Sequence, residues 1–135
     1  MTMYRISTLF IKTSLIYLAI STVLGILIIV GPGYSFMHSH FTLIGWVSFF
    51  IFGVSYEIVP RFTGKHLFSE KLAYVHLWSA NIGLIGLSIS YPFMRMAMLR
   101  GLDYYTAQIT VIVFGLLEAI SIFIFIFNIW KSMRE

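Results

Sequence analysis

The chain has 135 residues, of which 59% are hydrophobic and only 10% charged. Soluble domains carry about 25% charged residues, so this composition excludes an ordinary soluble domain and specifies a membrane protein. The net charge is +4 with no cysteine, which removes disulfides, thiolate metal ligands, iron–sulfur clusters and thiol nucleophiles; the basic residues form no single face, which excludes nucleic-acid binding.

The first apolar run, Leu9 to Val30, follows Arg5 and Lys12. It exceeds the roughly 7 to 15 residues of a signal-peptide core and lacks a small-x-small cleavage site, so it is expected to be a retained span. Gly31-Pro32-Gly33 then breaks the chain in a short outer turn. The second run, Phe41 to Val59, is closed by Pro60, and Thr63-Gly64 continues into a cytoplasmic loop. The third, Leu72 to Tyr91, is ended by Pro92, leaving a loop from Phe93 to Asp103 with Met94, Met96 and Met98 at alternate positions. The fourth is Ala107 to Ile129. Each run matches the roughly 20 residues that a helix needs to cross hydrocarbon. The expected fold is all-α: one domain over residues 1–135, a bundle of four antiparallel transmembrane helices in contact with membrane lipids.

Orientation follows from the basic residues. Arg5, Lys12, Arg61, Lys65, Lys71, Lys131 and Arg134 fall at the N-terminus, second loop and C-terminus, against Arg95 and Arg100 in the third loop, which puts both termini in the cytoplasm. Tyr34, Tyr91, Tyr104, Tyr105 and Trp130 lie near span ends and are read as interfacial anchors.

Helical periodicity gives each span an inner face. These are Ser14, Tyr17, Ser21 and Gly25 on the first; His38, Thr42, Gly45, Ser48, Phe52 and Ser55 on the second; His76, Ser79, Ala80, Gly83, Gly86 and Ser90 on the third; and Gly115, Glu118, Ser121 and Asn128 on the fourth. Small and hydroxyl residues gather where membrane helices approach closely. His40 does not fit this pattern. Two residues from His38, it is rotated by about 200° and heads an aliphatic face of Ile44, Val47, Ile51, Val54 and Ile58. An imidazole there must snorkel, meet another subunit or ligate something. Haem suits such a position, because its iron takes an imidazole nitrogen axially and its propionates prefer the watery end. A zinc or copper site is less natural, since His38 and His40 point apart, although Met94, Met96 and Met98 at the same outer level offer soft copper ligands. His76 and Glu118 are buried ionisable candidates for a proton path or for structural hydrogen bonds, too far apart in depth to pair directly. Glu57 is expected to pair with Arg61 at i+4, and His66 to be solvated.

His38-Ser39-His40, then Gly45-Trp46, Gly53, Tyr56 and Pro60-Arg61, resembles the histidine-bearing helix of the haem–copper oxidase catalytic subunit, most closely the nitric oxide reductase class. The continuation Leu72-Ala73, His76-Leu77-Trp78, Asn81 and Gly83 is similar to small four-helix membrane proteins grouped with those subunits, so the likeness runs from about Met37 to Tyr91. The resemblance implies a fold like one four-helix arc of that subunit, with His38 as proximal ligand of a high-spin haem, His40 as a ligand of low-spin haem b, and Gly45 and Trp46 beside the cofactor. It also implies a homo-oligomer, two or three copies, in which copies replace the missing arcs and haem b is held between His40 residues, because one chain holds no complete haem–copper centre. The expected function is haem b binding for electron transfer, with a respiratory redox partner, or for binding a small gas such as nitric oxide or oxygen, in a bacterial- or archaeal-type cytoplasmic membrane. The alternatives are a cofactor-free structural or assembly subunit of a respiratory complex and a copper-handling membrane protein.

Overall fold

The computed structural model describes residues 4–134, apart from the Pro32 side chain. Four long helices make up an all-α bundle: α1 (Arg5–Val30), α2 (Ser35–Thr63), α3 (Glu70–Arg100) and α4 (Tyr104–Arg134). Each is long and apolar enough to cross a membrane, where backbone polar groups must be satisfied within the helix itself. The protein is therefore an integral membrane protein. Helices run antiparallel, so the turns at residues 31–34 and 101–103 share the end of the bundle opposite the two termini.

Both proline expectations are corrected. Pro60 and Pro92 lie inside helices that continue to Thr63 and Arg100, since membrane helices tolerate proline in their interior where surrounding groups can re-satisfy the freed backbone. The helices end instead at glycines. Gly64 and Gly101 adopt φ of 66° and 63°, the left-handed conformation that lets the next amide reach back to a late carbonyl, as Leu102 N–H does to Ala97 at 3.0 Å. Residues 93–100, expected as loop, thus extend α3. Ser69 caps the start of α3 by accepting from the Leu72 amide at 3.2 Å, and Asp103 caps α4 by accepting from Thr106 N–H at 3.2 Å. Hydrogen bonds from the Thr106 side chain and backbone hold the Asp103 carboxyl below its ordinary pKa.

The periodicity of α2 departs from a regular helix. Phe41–Ser48 forms a π-helical segment with i→i+5 hydrogen bonds, including one from the Phe49 amide to the Ile44 carbonyl, and Ser48 Oγ also reaches five residues back to the Leu43 carbonyl at 2.9 Å. The wide turns use one extra residue, so the inner face beyond them is Phe49, Phe52, Gly53, Tyr56, Glu57 and Pro60. Ser48 and Ser55, expected on that face, are only half-buried.

The helices associate as two hairpins, α1–α2 and α3–α4, joined at three levels. Near the termini Phe10, Phe52, Tyr56, His76 and Phe125 form an aromatic cluster with ring centroids 4.5–6.1 Å apart. At mid-depth Tyr17 donates to Asn81 Oδ1 at 2.5 Å. At the opposite end Phe36 stacks on Tyr91. Within α3–α4, Gly83 lies against the Glu118 backbone, where a Cβ would come within 2.8 Å of the Glu118 nitrogen. Because that neighbour is backbone, Gly83→Ala should force the hairpin apart and lower stability by about 1–3 kcal/mol, to be read as an earlier circular-dichroism melt in detergent; an unchanged melt would mean that the hairpin is loosely packed there.

Candidate haem-binding site

His38 and His40 lie in the first turns of α2, just inside the end opposite the termini. They point apart, as their spacing requires. His38 turns towards α1: its Nδ1 is 2.9 Å from the Ser21 carbonyl and 3.3 Å from Ser21 Oγ. Ser21 Oγ also bonds Thr42 Oγ1, and Thr42 donates to the His38 carbonyl at 2.7 Å. Gly25 leaves room for the ring, since a Cβ there would sit 3.0 Å from His38 Cε1. His40 makes its contact with its own helix, Nδ1 lying 3.1 Å from the Phe36 carbonyl, and stacks on Phe36 at a centroid distance of 4.0 Å. Phe36 in turn stacks on Tyr91 of α3 at 3.7 Å.

A carbonyl oxygen can only accept, so in each histidine Nδ1 carries the proton and Nε2 keeps its lone pair. Neither Nε2 has a hydrogen-bond partner among the described residues. An imidazole whose Nδ1–H is anchored on a backbone carbonyl has its ring orientation and tautomer fixed, the usual arrangement of a metal-ligating histidine. Among the described residues no three His, Asp or Glu side chains come together, so a metal ion held by a polyhedral protein cage has no ligand set here. Axial ligation of haem requires one or two imidazoles only, and the residues present fit it.

The other expected site residues fall elsewhere. Gly45 packs on α1, where a Cβ would come 2.8 Å from Tyr17 Cγ, so this glycine serves helix approach. Trp46 lines a cleft of about 240 Å³ with Leu15, Val47, Phe50 and Ile51 on the lipid side. Val47, Ile51 and Ile58 are exposed, while Ile44 and Val54 are half-buried. The methionines of the expected loop are on helical turns of α3, where alternate residues point about 200° apart; Met94 is half-buried and Met96 and Met98 are exposed. Tyr91, expected as an interfacial anchor, is instead held in the ring stack, because α3 continues past Pro92 and keeps it on the side facing α2.

The other ionisable residues lie nearer the termini. His76 is fully buried and bonded through Nδ1 to Tyr56 OH at 3.0 Å. Its Nε2 and Glu118 Oε2 are buried without a partner, and no hydrogen bond links the two residues. Glu57 forms the expected ion pair with Arg61 and also accepts from the Tyr4 amide at 2.9 Å. His66 is exposed in the 64–69 loop.

Residues 29–123, which include both histidines, match the family described as Cytochrome C and Quinol oxidase polypeptide I. The chain belongs to this family. Among its relatives, the putative cytochrome c oxidase subunit 1-beta of Streptomyces avermitilis is 31% identical over 105 residues, covering 72% of this chain and 18% of its own length. Cytochrome c oxidase polypeptide 1 of Halobacterium salinarum is 31% identical over 104 residues, 73% of this chain and 17% of its own. Cytochrome c oxidase subunit 1 of Corynebacterium diphtheriae is 32% identical over 106 residues, 72% of this chain and 18% of its own. This oxidase-family chain thus spans under a fifth of the length of those relatives. No solved structure matches significantly.

Phe36 and Ser21 complete the surroundings of the two histidines, and neither was singled out as a ligand-orienting residue in the sequence. The i, i+4 spacing of Phe36 and His40 was a visible signal. The Ser21 carbonyl carries no sequence signal at all. Tyr56→Phe should leave His76 Nδ1 buried and unpaired and destabilise the bundle by about 1–3 kcal/mol; equilibrium unfolding in mixed micelles checks this, and wild-type stability would indicate that the pair is not maintained.

Proposed function

We propose that this member of the oxidase family binds haem b at the end of the bundle opposite its termini, with His40 as an iron ligand and His38 as a second ligand or pocket residue. The observation that carries this reading is that both imidazoles rest Nδ1–H on a backbone carbonyl, which turns Nε2 into the ligating atom. Haem bound by His38 and His40 would supply one-electron transfer or a place for a small gas to bind.

The chain's own residues set the geometry. The Ser21 carbonyl and hydroxyl hold His38 over Gly25 between α1 and α2, whereas Phe36 holds His40 on the side of α2 towards α3. The two Nε2 atoms therefore serve different directions, and neither residue lines the clefts of about 240 to 450 Å³ on the bundle surface. A planar macrocycle on His40 needs a second apolar wall. We assign that wall to another helical unit, with a second copy of this chain as the simplest source, since a two-fold interface brings both His40 residues to one depth. The basic residues clustered towards the termini support a cytoplasmic location for both.

Absorption spectra of the detergent-purified protein, produced with haem available, test the reading. Wild type should show a haem b spectrum and elute as an oligomer of this chain. His40→Ala should lose the haem, and His38→Ala should change its spin state or retention. Gly25→Ala, which presses on His38 Cε1, should perturb the spectrum while leaving helical content unchanged. A colourless wild type overturns the haem assignment in favour of a cofactor-free subunit, and copper retained without haem overturns it in favour of copper handling.

A further inference from the structure

The far-end link between the two hairpins is a stack of three rings: Tyr91 from α3, then Phe36 and His40 from α2. The Phe36–Tyr91 pair is nearly parallel, with centroids 3.7 Å apart and planes inclined by 15°, and Phe36 lies on the imidazole at 4.0 Å and 29°. Phe36 holds His40 twice, since its carbonyl is 3.1 Å from Nδ1 while its ring covers the imidazole face. The two contacts do different jobs. The carbonyl selects which nitrogen carries the proton, and the ring fixes the plane of the imidazole, preventing it from swinging about Cβ–Cγ to leave the carbonyl. Phe36 alone could move with His40, because both stand on one helix. Tyr91 belongs to the other hairpin and ties the pair to the rest of the bundle.

We infer that Tyr91 and Phe36 are positioning residues for His40, a relay of stacked rings through which the α3–α4 hairpin fixes the direction and tautomer of the His40 Nε2. This rests on the reading of His40 as an iron ligand only for its use, since the locking itself is a property of the chain without haem. The stack also couples His40 to helix packing, so that separating α2 from α3 at this end releases the imidazole. Groups that support a metal-binding histidine in this way typically change affinity by about 10- to 100-fold when removed.

Nitrogen-15 NMR of histidine-labelled, haem-free full-length protein in micelles, at a pH where the imidazoles are neutral, reads the tautomer directly. Wild-type His40 should give one form, protonated at Nδ1, and Tyr91→Phe should preserve it because the stack needs the ring and not the hydroxyl. Tyr91→Leu should populate the Nε2–H form, with the His38 signals and the helical content unchanged. Phe36→Leu, which keeps the carbonyl but removes the ring, should do the same and serves if Tyr91→Leu folds poorly. With haem added, Tyr91→Leu should retain it roughly 10- to 100-fold less tightly and Tyr91→Phe should match wild type. A His40 tautomer unaffected by both leucine variants overturns the inference. A wild type with a locked tautomer that takes up no haem overturns the haem reading and leaves the positioning role supported.

Discussion

The arrangement of the bundle depends on the widened turns of α2. An α-helix advances about 100° per residue, so a continuous helix from Ser35 to Thr63 would present one straight inner stripe. The π segment Phe41–Ser48 breaks that stripe into two. On one side of it, His38 faces α1 and His40 faces the α3 side; on the other, Phe49, Phe52 and Tyr56 turn into the core. Gly45 sits inside the segment and admits the Tyr17 ring to the helix surface. Segments of this type are found where function needs an altered register, and here the segment immediately follows both candidate ligands.

The same division separates two kinds of polar chemistry. Towards the termini, the polar groups are enclosed by aromatics: His76 is bonded to Tyr56 and contacted by Phe10, Phe52 and Phe125. Such burial makes each hydrogen bond expensive to lose and ties the two hairpins together. At the opposite end the histidines are only half-buried, with one nitrogen anchored and the other unengaged. His76 Nε2 also lacks a partner; what distinguishes the two ends is that His76 is fully buried whereas His38 and His40 are half-exposed.

Close helix approach supplies the rigidity behind that orientation. In hydrocarbon there is little hydrophobic drive between helices, so packing contacts and interhelical hydrogen bonds hold them. Gly83 brings α3 onto the α4 backbone, Ser7 donates to the Gly53 carbonyl at 2.5 Å, and Asn128 bonds both the amide and carbonyl of Ser69 at 3.1 and 2.9 Å. Ser7 thus fixes α1 beside α2, and the Tyr17–Asn81 hydrogen bond with the Phe52–His76 contact fixes the α3–α4 hairpin against that pair. They thereby fix the Ser21 carbonyl below His38 and the Tyr91 ring behind Phe36.

Much of this was legible in the sequence, because a span must be about 20 residues long and apolar and because an i, i+2 pair on a helix must diverge. Four helices, the inward turn of His38, the Glu57–Arg61 pair and the resemblance to the oxidase family all follow from residue type and spacing. Other features arose only in three dimensions. Pro60 and Pro92 read as stops, yet both helices continue past them. The π segment has no marker in residue type, so the faces beyond it shifted by one position, from Ser48 and Ser55 to Phe49 and Tyr56. Which atoms orient the histidines was decided by a backbone carbonyl and by a ring from another helix, and neither is encoded by local periodicity: a carbonyl is common to every residue, and the Phe36–Tyr91 contact exists only because two hairpins pack together.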